Sequence, residues 1–562
     1  MDIKKEISIL LKKRLPISEE EIKSLIEIPL NNSLGDYSFP CFKISSLLKE
    51  KPEKIANTLS NTIPDHDLIF KTEVKGPYLN FFIDYGFVAR SLIKEILVKK
   101  DKFGSSSEGK NKKVIVEFSS PNIAKPFNIG HLRSTVIGNS LYKIYSFLGY
   151  KCISINHLGD YGTQFGALIL AYKKYGNDKL LEKDPINYSL DLYIKIYKEI
   201  ENNENLKEEA KLWFKKLENK DKEAIKLWKK FRDLSLKYFE KIYNILDIKF
   251  DEYTGESFYQ PLLEQTISQL EAKKFTEIND NALVVNLEKY NMPPLILKKS
   301  DEASTYATRD LAAALYRIKK FNPEKILYVV GSEQKLHFLQ FFKVLELLDY
   351  DKNKFVHIPF GLVRLSEGKL STRKGKLILL EEVLNKAIDL AKKIIEHKNP
   401  KLKNKEEIAN RIGIGSIIFA DLINDRNNDV VFEWDKILDF EGNTAPYLQY
   451  TYVRCISLLK KTSNFQSKMI INTLKTEYEK ELIKKLNNFE YEIKQSAIHY
   501  KPSILSHYLI ELARSFNEFY HFCPILKEDI ETKNTRLLIV KSIKQVLENG
   551  LNLLGIKTVD QM

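Results

Sequence analysis

VIVEFSSPNIAKPFNIGHLRSTVIGNSLYKIYSFLGYKCISI, residues 114–155, reads as strand, turn, helix and strand. VIVEF (114–118) is a short β-branched run of the kind that fills a buried parallel strand. Leu132, Val136, Ile137, Leu141, Ile144, Tyr145 and Leu148 then recur at helical spacing and give one apolar face. CISI (152–155) supplies the second strand. The result is a βαβ unit, whose crossover is expected to be right-handed.

The turn inside that unit carries the first chemistry. A parallel strand feeding a helix N-terminus presents free backbone N–H groups and the positive end of the helix dipole to an anion. Gly130 lets the backbone approach such a ligand. His131 in the first turn can donate to a phosphate or ribose oxygen, and Lys125 adds a point charge. Each signal is weak alone, because a histidine at a helix start commonly caps and a loop lysine is commonly solvated. A second basic loop, RLSEGKLSTRKGKLILL (364–380), sets Lys369, Arg373 and Lys374 among Gly368, Ser371, Thr372 and Gly375. Such a loop can close over a polyphosphate. By itself it reads more readily as an exposed basic turn.

Working outward, 562 residues predict three or four domains of roughly 100–200 residues. With 43% hydrophobic and 29% charged residues the chain is globular rather than disordered. No apolar run reaches the roughly 18–20 residues that span a bilayer. The N-terminus, MDIKKEISILLKKRLPISEEEIKSL, is too charged for a secretory signal and reads as a first amphipathic helix. This favours the cytoplasm and leaves a mitochondrial location open. Cys41, Cys152, Cys455 and Cys523 form no CxxC pair, which suggests neither zinc nor a disulfide framework, and points to a reducing compartment. The charge of +14 fits a polyanionic partner such as nucleic acid, and equally a lysine-rich proteome.

Four segments follow. Residues 1–95 form a small α+β unit, with a helix broken at Pro52 and strands around the Gly76-Pro77 turn. Residues 96–113 have linker composition. Residues 114–404 read as a Rossmann-like parallel-sheet domain with a helical insertion at about 175–250. The sheet is expected to resume through ALVVNL (282–287), PLILKK and KILYVVGS (325–332). From 405 to 562 the pattern is helical only, with apolar stripes at 441–462, 474–499, 502–521 and 535–553, an all-α bundle. The fold class is α/β.

The two loops together resemble the HIGH and KMSKS signatures of class I aminoacyl-tRNA synthetases, and the arginyl-tRNA synthetase family most. EFSSPNIAKPFNIGHLRST, NHLGDYGTQFG (156–166), Phe250-Asp251, Gly255-Glu256-Ser257, TYATRD (305–310), GSEQKLHF, LSTRKG, FEGNTAPYLQYTYVR (440–454) and the ending LLGIKTVDQM resemble successive blocks of that family along essentially the whole chain.

The resemblance implies an arginine–tRNA ligase that forms arginyl-adenylate from arginine and ATP, with Mg²⁺ accompanying ATP, then transfers arginine to the terminal adenosine of tRNA(Arg). It implies that tRNA binds before arginine is activated, and that the protein is a monomer. A guanidinium wants carboxylate and aromatic partners. The positions that match the family's arginine pocket are Glu117, Ser119, Asn122, Tyr306, Asp310 and Gln334. Tyr306 and Asp310 are expected at the guanidinium, with Glu117, Asn122 and Gln334 at the amino and carboxylate ends. Spacing supports one pair independently, since residues four apart share a helix face. For ATP and catalysis the matching positions are Lys125, Asn128, Gly130, His131, Lys369, Ser371, Arg373 and Lys374. For tRNA they are Tyr78 and Asn80 in the first unit, and Tyr447, Tyr450, Arg454 and Met562 in the last. Aromatic and polar side chains together read splayed bases, although an aromatic stripe is also how a core looks.

The sequence departs from the family pattern twice. Thr372 stands where KMSKS has its second lysine, and Lys125 is expected to compensate. Asn128 stands where HIGH has its first histidine. An amide keeps hydrogen bonds but cannot become cationic. These departures motivate an alternative, a catalytically inactive relative that binds tRNA as a regulatory module. A class I synthetase for another amino acid is a second alternative, which Tyr306 and Asp310 disfavour.

Overall fold

The structure is a computed structural model that describes the chain except for residues 202, 302, 366–378 and 463–473. It divides into two compact units. One gathers residues 1–103, 454–490 and 511–547, the other residues 104–453, 491–510 and 548–562.

The second unit is built on five parallel strands: β1 (Lys113–Glu117), β2 (Lys151–Asn156), β3 (Glu252–Tyr253), β4 (Lys325–Val329) and β5 (Phe355–Ile358). Their order across the sheet is β5-β4-β1-β2-β3. The order reverses between β1 and β4, so a crevice opens at the carboxyl ends of those two strands, where open α/β sheets bind ligands. Helix α1 (Gly130–Phe147) links β1 to β2 as expected. Val114, Ile115 and Val116 are fully buried, which explains their β-branched run. Gly138 lets α1 lie against the strand end, since a Cβ there would meet Phe118 at 2.2 Å.

Three expectations need correction. ALVVNL and PLILKK do not join the parallel sheet. Thr276–Asn279, Ala282–Val285 and Leu295–Lys298 make a separate three-stranded antiparallel sheet. Its first turn is set by Asp280 and Asn281, both at positive φ (48° and 59°), the pattern of a two-residue hairpin. The region after 405 is not helical only, because Val430–Phe432 pairs in parallel with Val363–Leu365. The first amphipathic helix is two helices, Ile3–Lys12 and Glu19–Leu25, and Ser18 and Glu21 form a capping box at the start of the second.

Other elements follow the sequence pattern. The insertion is helical, and its longest helix, Lys222–Leu246, buries Trp228, Phe231, Phe239 and Tyr243. In the first unit Pro52 opens the helix Pro52–Thr62, and Ile69–Lys75 and Tyr78–Ile83 pair as an antiparallel hairpin. Among the described residues the four expected stripes are helices: Ala445–Lys460, Glu477–Ile498, Pro502–Phe522 and Ile530–Leu553.

Within the second unit, one buried ion pair ties α1 to the helix Lys405–Leu422. Arg133 Nε lies 2.8 Å from Asp421 Oδ1, with both side chains 1% exposed. Arg133 Nη1 also donates to the carbonyls of Gly361 and Asn428. Burial pushes the Asp421 carboxyl up to about 6 against the pull of Arg133. A raised carboxylate favours the folded state most below the ordinary carboxylate range, and that contribution is lost as pH rises through about 6. Arg133→Met leaves Asp421 without its cation, and breaking a buried pair costs about 3–5 kcal/mol. The loss should be full at pH 8, where the carboxylate is ionised, and smaller at pH 5. Urea midpoints at the two pH values check this, and equal losses would contradict it.

Candidate active site

The turn that leaves β1 is strained and locked. Ser119 and Ser120 both have positive φ (70° and 47°), a costly region for residues other than glycine. Ser119 N–H donates to Ser134 Oγ at 2.9 Å, and that hydroxyl donates to the Val329 carbonyl at 2.6 Å. Ser119 Oγ is 2.7 Å from Tyr243 OH and 2.9 Å from Thr135 Oγ1. Its hydroxyl is therefore spent inside the protein, and the side chain is buried. Glu117 is likewise engaged, its carboxylate paired with the buried Arg317. Of the residues expected at arginine, these two belong to the frame beneath the crevice.

The remaining four reach solvent. Asn122 is exposed, and its backbone bridges to Gly159, where a Cβ would lie 1.9 Å from Asn122 Oδ1 and push that amide aside. Gln334 is exposed in the short turn after β4. Helix α2 (Tyr306–Phe321) opens with Tyr306, which is 55% exposed. Asp310, one turn on, is partly exposed, with Oδ2 2.7 Å from His337 Nε2 and Oδ1 3.8 Å from His157 Nε2. The Tyr306 ring meets His337 edge-on at 4.8 Å. Close by, Glu256 pairs with Arg309 at 3.1 Å. Burial pushes the Glu256 carboxyl up, Arg309 and His157 oppose this, and the negative charge of Asp310 adds to it. Two neighbouring carboxylates beside an exposed tyrosine suit a bound cation.

The phosphate side of the crevice is the start of α1. Asn128 Oδ1 accepts the Gly130 N–H at 2.9 Å, and Asn128 N–H donates to His131 Nδ1 at 3.1 Å. His131 Nδ1 thus accepts, so the neutral ring carries its proton on Nε2. Burial pushes the His131 pKa down, and the ring stacks on Phe127 at 5.0 Å. Lys125 is half-buried, 5.8 Å from the Tyr193 ring. Next to it, Ala124 N–H donates to Ser235 Oγ of the insertion.

Lys369, Ser371, Arg373 and Lys374 lie outside the described residues. The chain that follows them is placed: Leu379 forms an antiparallel bridge with Asn128, and Leu380 N–H donates to the Phe127 carbonyl at 2.9 Å. The described end of the second basic loop, Leu379-Leu380, is therefore tied to the first loop.

The expected tRNA residues are distributed as follows. Tyr78 is half-buried and meets Phe42 edge-on at 5.6 Å. Asn80 is buried and its Oδ1 accepts from Ser38 Oγ at 2.7 Å, so it lies inside the sheet and not on its surface. Tyr450 is 41% exposed, and Tyr447, Arg454 and Met562 are half-exposed. The Tyr447–Tyr450 stripe is thus not a core. Arg454 stacks over Tyr520 at 5.0 Å.

Comparison with known proteins gives the arrangement a family. The model of the class I (R) tRNA synthetase catalytic domain matches residues 92–434, more than half the chain. The chain belongs to the arginyl-tRNA synthetases. The arginyl-tRNA synthetase N-terminal domain model matches residues 1–83, and the DALR anticodon binding domain model matches residues 448–562. This synthetase is 47% identical over 566 residues to an arginine–tRNA ligase of Halothermothrix orenii, and 48% over 564 residues to one of Clostridium botulinum. Each alignment covers 100% of both chains. Among solved structures it resembles the arginyl-tRNA synthetase of Plasmodium falciparum, with 26% identity and a TM-score of 0.80 over 100% of this chain and 98% of that one. The Thermus thermophilus enzyme shares the fold at a TM-score of 0.83 and 23% identity, over 100% and 99% of the two chains.

Sequence reading gave no role to His157, His337, Glu256, Arg317 or Tyr243 in this synthetase. His157, His337 and Glu256 stood in quoted family blocks, but nothing local marks a residue that acts through Asp310 or Glu117. The Asn128 geometry yields a prediction. Its Oδ1 accepts the Gly130 N–H in the turn that precedes α1, and losing such a hydrogen bond costs about 0.5–1.5 kcal/mol. Asn128→Ala should therefore slow pyrophosphate exchange, whereas Asn128→His should stay within about tenfold of the natural protein. A gain of several orders of magnitude in the histidine variant would contradict this.

Proposed function

We propose that this arginine–tRNA ligase divides its work between the two walls of the crevice at the ends of β1 and β4. The observation that carries the reading is the partly exposed Asp310 carboxylate, one helical turn from the exposed Tyr306, at the switch point of the sheet. Asp310 takes the substrate guanidinium through paired charge-assisted hydrogen bonds, and Tyr306 covers it. Glu256 lines the same wall, its charge balanced by Arg309. Asn122 and Gln334 hold the amino and carboxylate ends, on a floor stiffened by Glu117 and Ser119.

On the other wall, ATP lies over the start of α1 with Mg²⁺ as part of the substrate. The positive end of the α1 dipole, with the Nε2–H of His131, stabilises charge on its phosphates, while the Gly130 N–H is held by Asn128 Oδ1. Lys125 and the loop holding Lys369, Ser371, Arg373 and Lys374 supply cations. A carboxylate oxygen of arginine attacks the α-phosphorus, and the bond to the pyrophosphate oxygen breaks. The 2′-hydroxyl of the terminal adenosine then attacks the arginyl carbonyl carbon. Its proton passes to a phosphate oxygen as the bond from the arginyl carbon to AMP breaks, giving arginyl-tRNA and AMP. No residue forms a covalent intermediate; the protein positions and stabilises. Tyr78 near the N-terminus, and Tyr447, Tyr450, Arg454 and Met562 in the C-terminal region, contact tRNA, with Asn80 supporting Tyr78 from inside the sheet. The protein works as a monomer in the cytoplasm, in keeping with its four free cysteines. No helix among the described residues is long and apolar enough to cross a membrane.

The test is pyrophosphate exchange with arginine, ATP and tRNA(Arg). Exchange should require all three, and tight tRNA binding without exchange would favour the inactive relative. Hydrogen bonds to charged groups contribute about 1.5–3 kcal/mol, so Asp310→Asn should raise the KM for arginine roughly tenfold to a hundredfold and leave that for ATP alone. Tyr78→Ala should raise the KM for tRNA and leave that for arginine unchanged, which charging kinetics measure.

A further inference from the structure

Asp310 is approached from both sides by imidazoles that the two-step reaction does not itself use. His337 is buried, its ring parallel to Phe341 at 5.9 Å and edge-on to Tyr306. Its Nε2 faces Asp310 Oδ2 at 2.7 Å, and its buried Nδ1 has no partner among the described residues. A carboxylate only accepts, so Nε2 carries the proton. His157 faces the other oxygen. Its Nδ1 is 3.2 Å from Arg317 Nη2. A guanidinium only donates, so Nδ1 accepts and the neutral ring places its proton on Nε2, towards Asp310 Oδ1 at 3.8 Å. Arg317 is itself fixed, buried between the rings of Tyr259 and Tyr328 and paired with Glu117. Glu117, Arg317, His157, Asp310 and His337 thus form one polar chain beneath the arginine pocket.

We propose that His337 and His157 are positioning and specificity residues: they set the plane of the Asp310 carboxylate so that both its oxygens meet a guanidinium fork, and Arg317 fixes the tautomer of His157. The inference rests on Asp310 being the guanidinium partner. A planar fork donates two parallel N–H bonds and needs a carboxylate in one plane, whereas an ammonium is a point charge that accepts any plane. Fixing the plane therefore favours arginine over lysine. The two grips are unequal. A separation of 2.7 Å is a short hydrogen bond, whereas 3.8 Å is beyond hydrogen-bond length and acts through charge alone. His337 should matter more than His157.

The test is tRNA-dependent pyrophosphate exchange at varied arginine, lysine and ATP. His337→Phe should raise the KM for arginine roughly tenfold to a hundredfold, with kcat and the KM for ATP within about threefold. The preference for arginine over lysine should fall by a similar factor. His337→Gln, whose amide nitrogen can stand in for Nε2–H, should recover most of the loss. His157→Phe should give the same pattern at a smaller size. Where His337→Phe does not fold by circular dichroism, His337→Asn, whose amide falls short of Asp310, is compared with His337→Gln instead. Unchanged KM for arginine in the Phe or Asn variant overturns the proposal, as does a Gln variant no better than it. Asp310→Asn separates the two readings. If it leaves the KM for arginine unmoved, the pocket assignment fails. If it raises that KM and the His337 variants do not, only the positioning role fails.

Discussion

Ser134 Oγ accepts the Ser119 N–H and donates to the Val329 carbonyl, and through that one hydroxyl the ends of β1 and β4 and the first turns of α1 meet. The two strands are where the sheet order reverses, so the hydroxyl sits at the base of the ligand crevice. It also stabilises a backbone that is otherwise unfavourable. Two consecutive non-glycine residues at positive φ cost of order 1–3 kcal/mol each, and they persist because Ser134, Tyr243 and Thr135 all bond to Ser119. The turn redirects the chain so that Asn122 emerges on the open side and the start of α1 faces the same crevice. A smoother exit from β1 would put neither there.

That constraint explains which residues were readable in advance. The strand, the helix and their order followed from buried β-branched runs and a 3.6-residue period, because those patterns report burial, which is what the sheet and α1 share. Tyr306 and Asp310 were legible as a pair because both lie on one face at the start of α2. Glu117 and Ser119 were legible as positions but not as roles. Their partners, Arg317 and Tyr243, are distant in the chain, and no local pattern says that a carboxylate will be neutralised from below or a hydroxyl spent on a tyrosine. Asn80 is similar: alternation placed it on a strand, and only its bond to Ser38 shows that its face is the inner one.

The misread strands have a different cause. ALVV and LILK are short apolar runs, and such runs carry no information about parallel or antiparallel partners. The deciding signal was the Asp280-Asn281 turn between Asn279 and Ala282, a hairpin motif set in a polar stretch. The strand at Val430–Phe432 is three residues long, below the length at which a period can be read. Likewise, nothing in GHLRST marks Arg133 as the buried partner of Asp421. An arginine on an otherwise apolar helix face looks solvent-bound until the helix that buries it is in place.

Asn128 brings these threads together. The histidine of the family pattern suggests that a cation is wanted at the helix start, yet the local chemistry here is neutral throughout. His131 is pushed towards its neutral form by burial, with its proton directed to Nε2 by the Asn128 backbone. Positive potential comes instead from aligned amides, which need no titratable group and do not change with pH. What the position supplies is an acceptor that fixes the Gly130 amide and a backbone that pairs with Leu379, the residue that follows the second basic loop's cations. An amide side chain provides the first, and any residue in extended conformation provides the second. The substitution therefore removes a possible charge from a site whose geometry is set by hydrogen bonds.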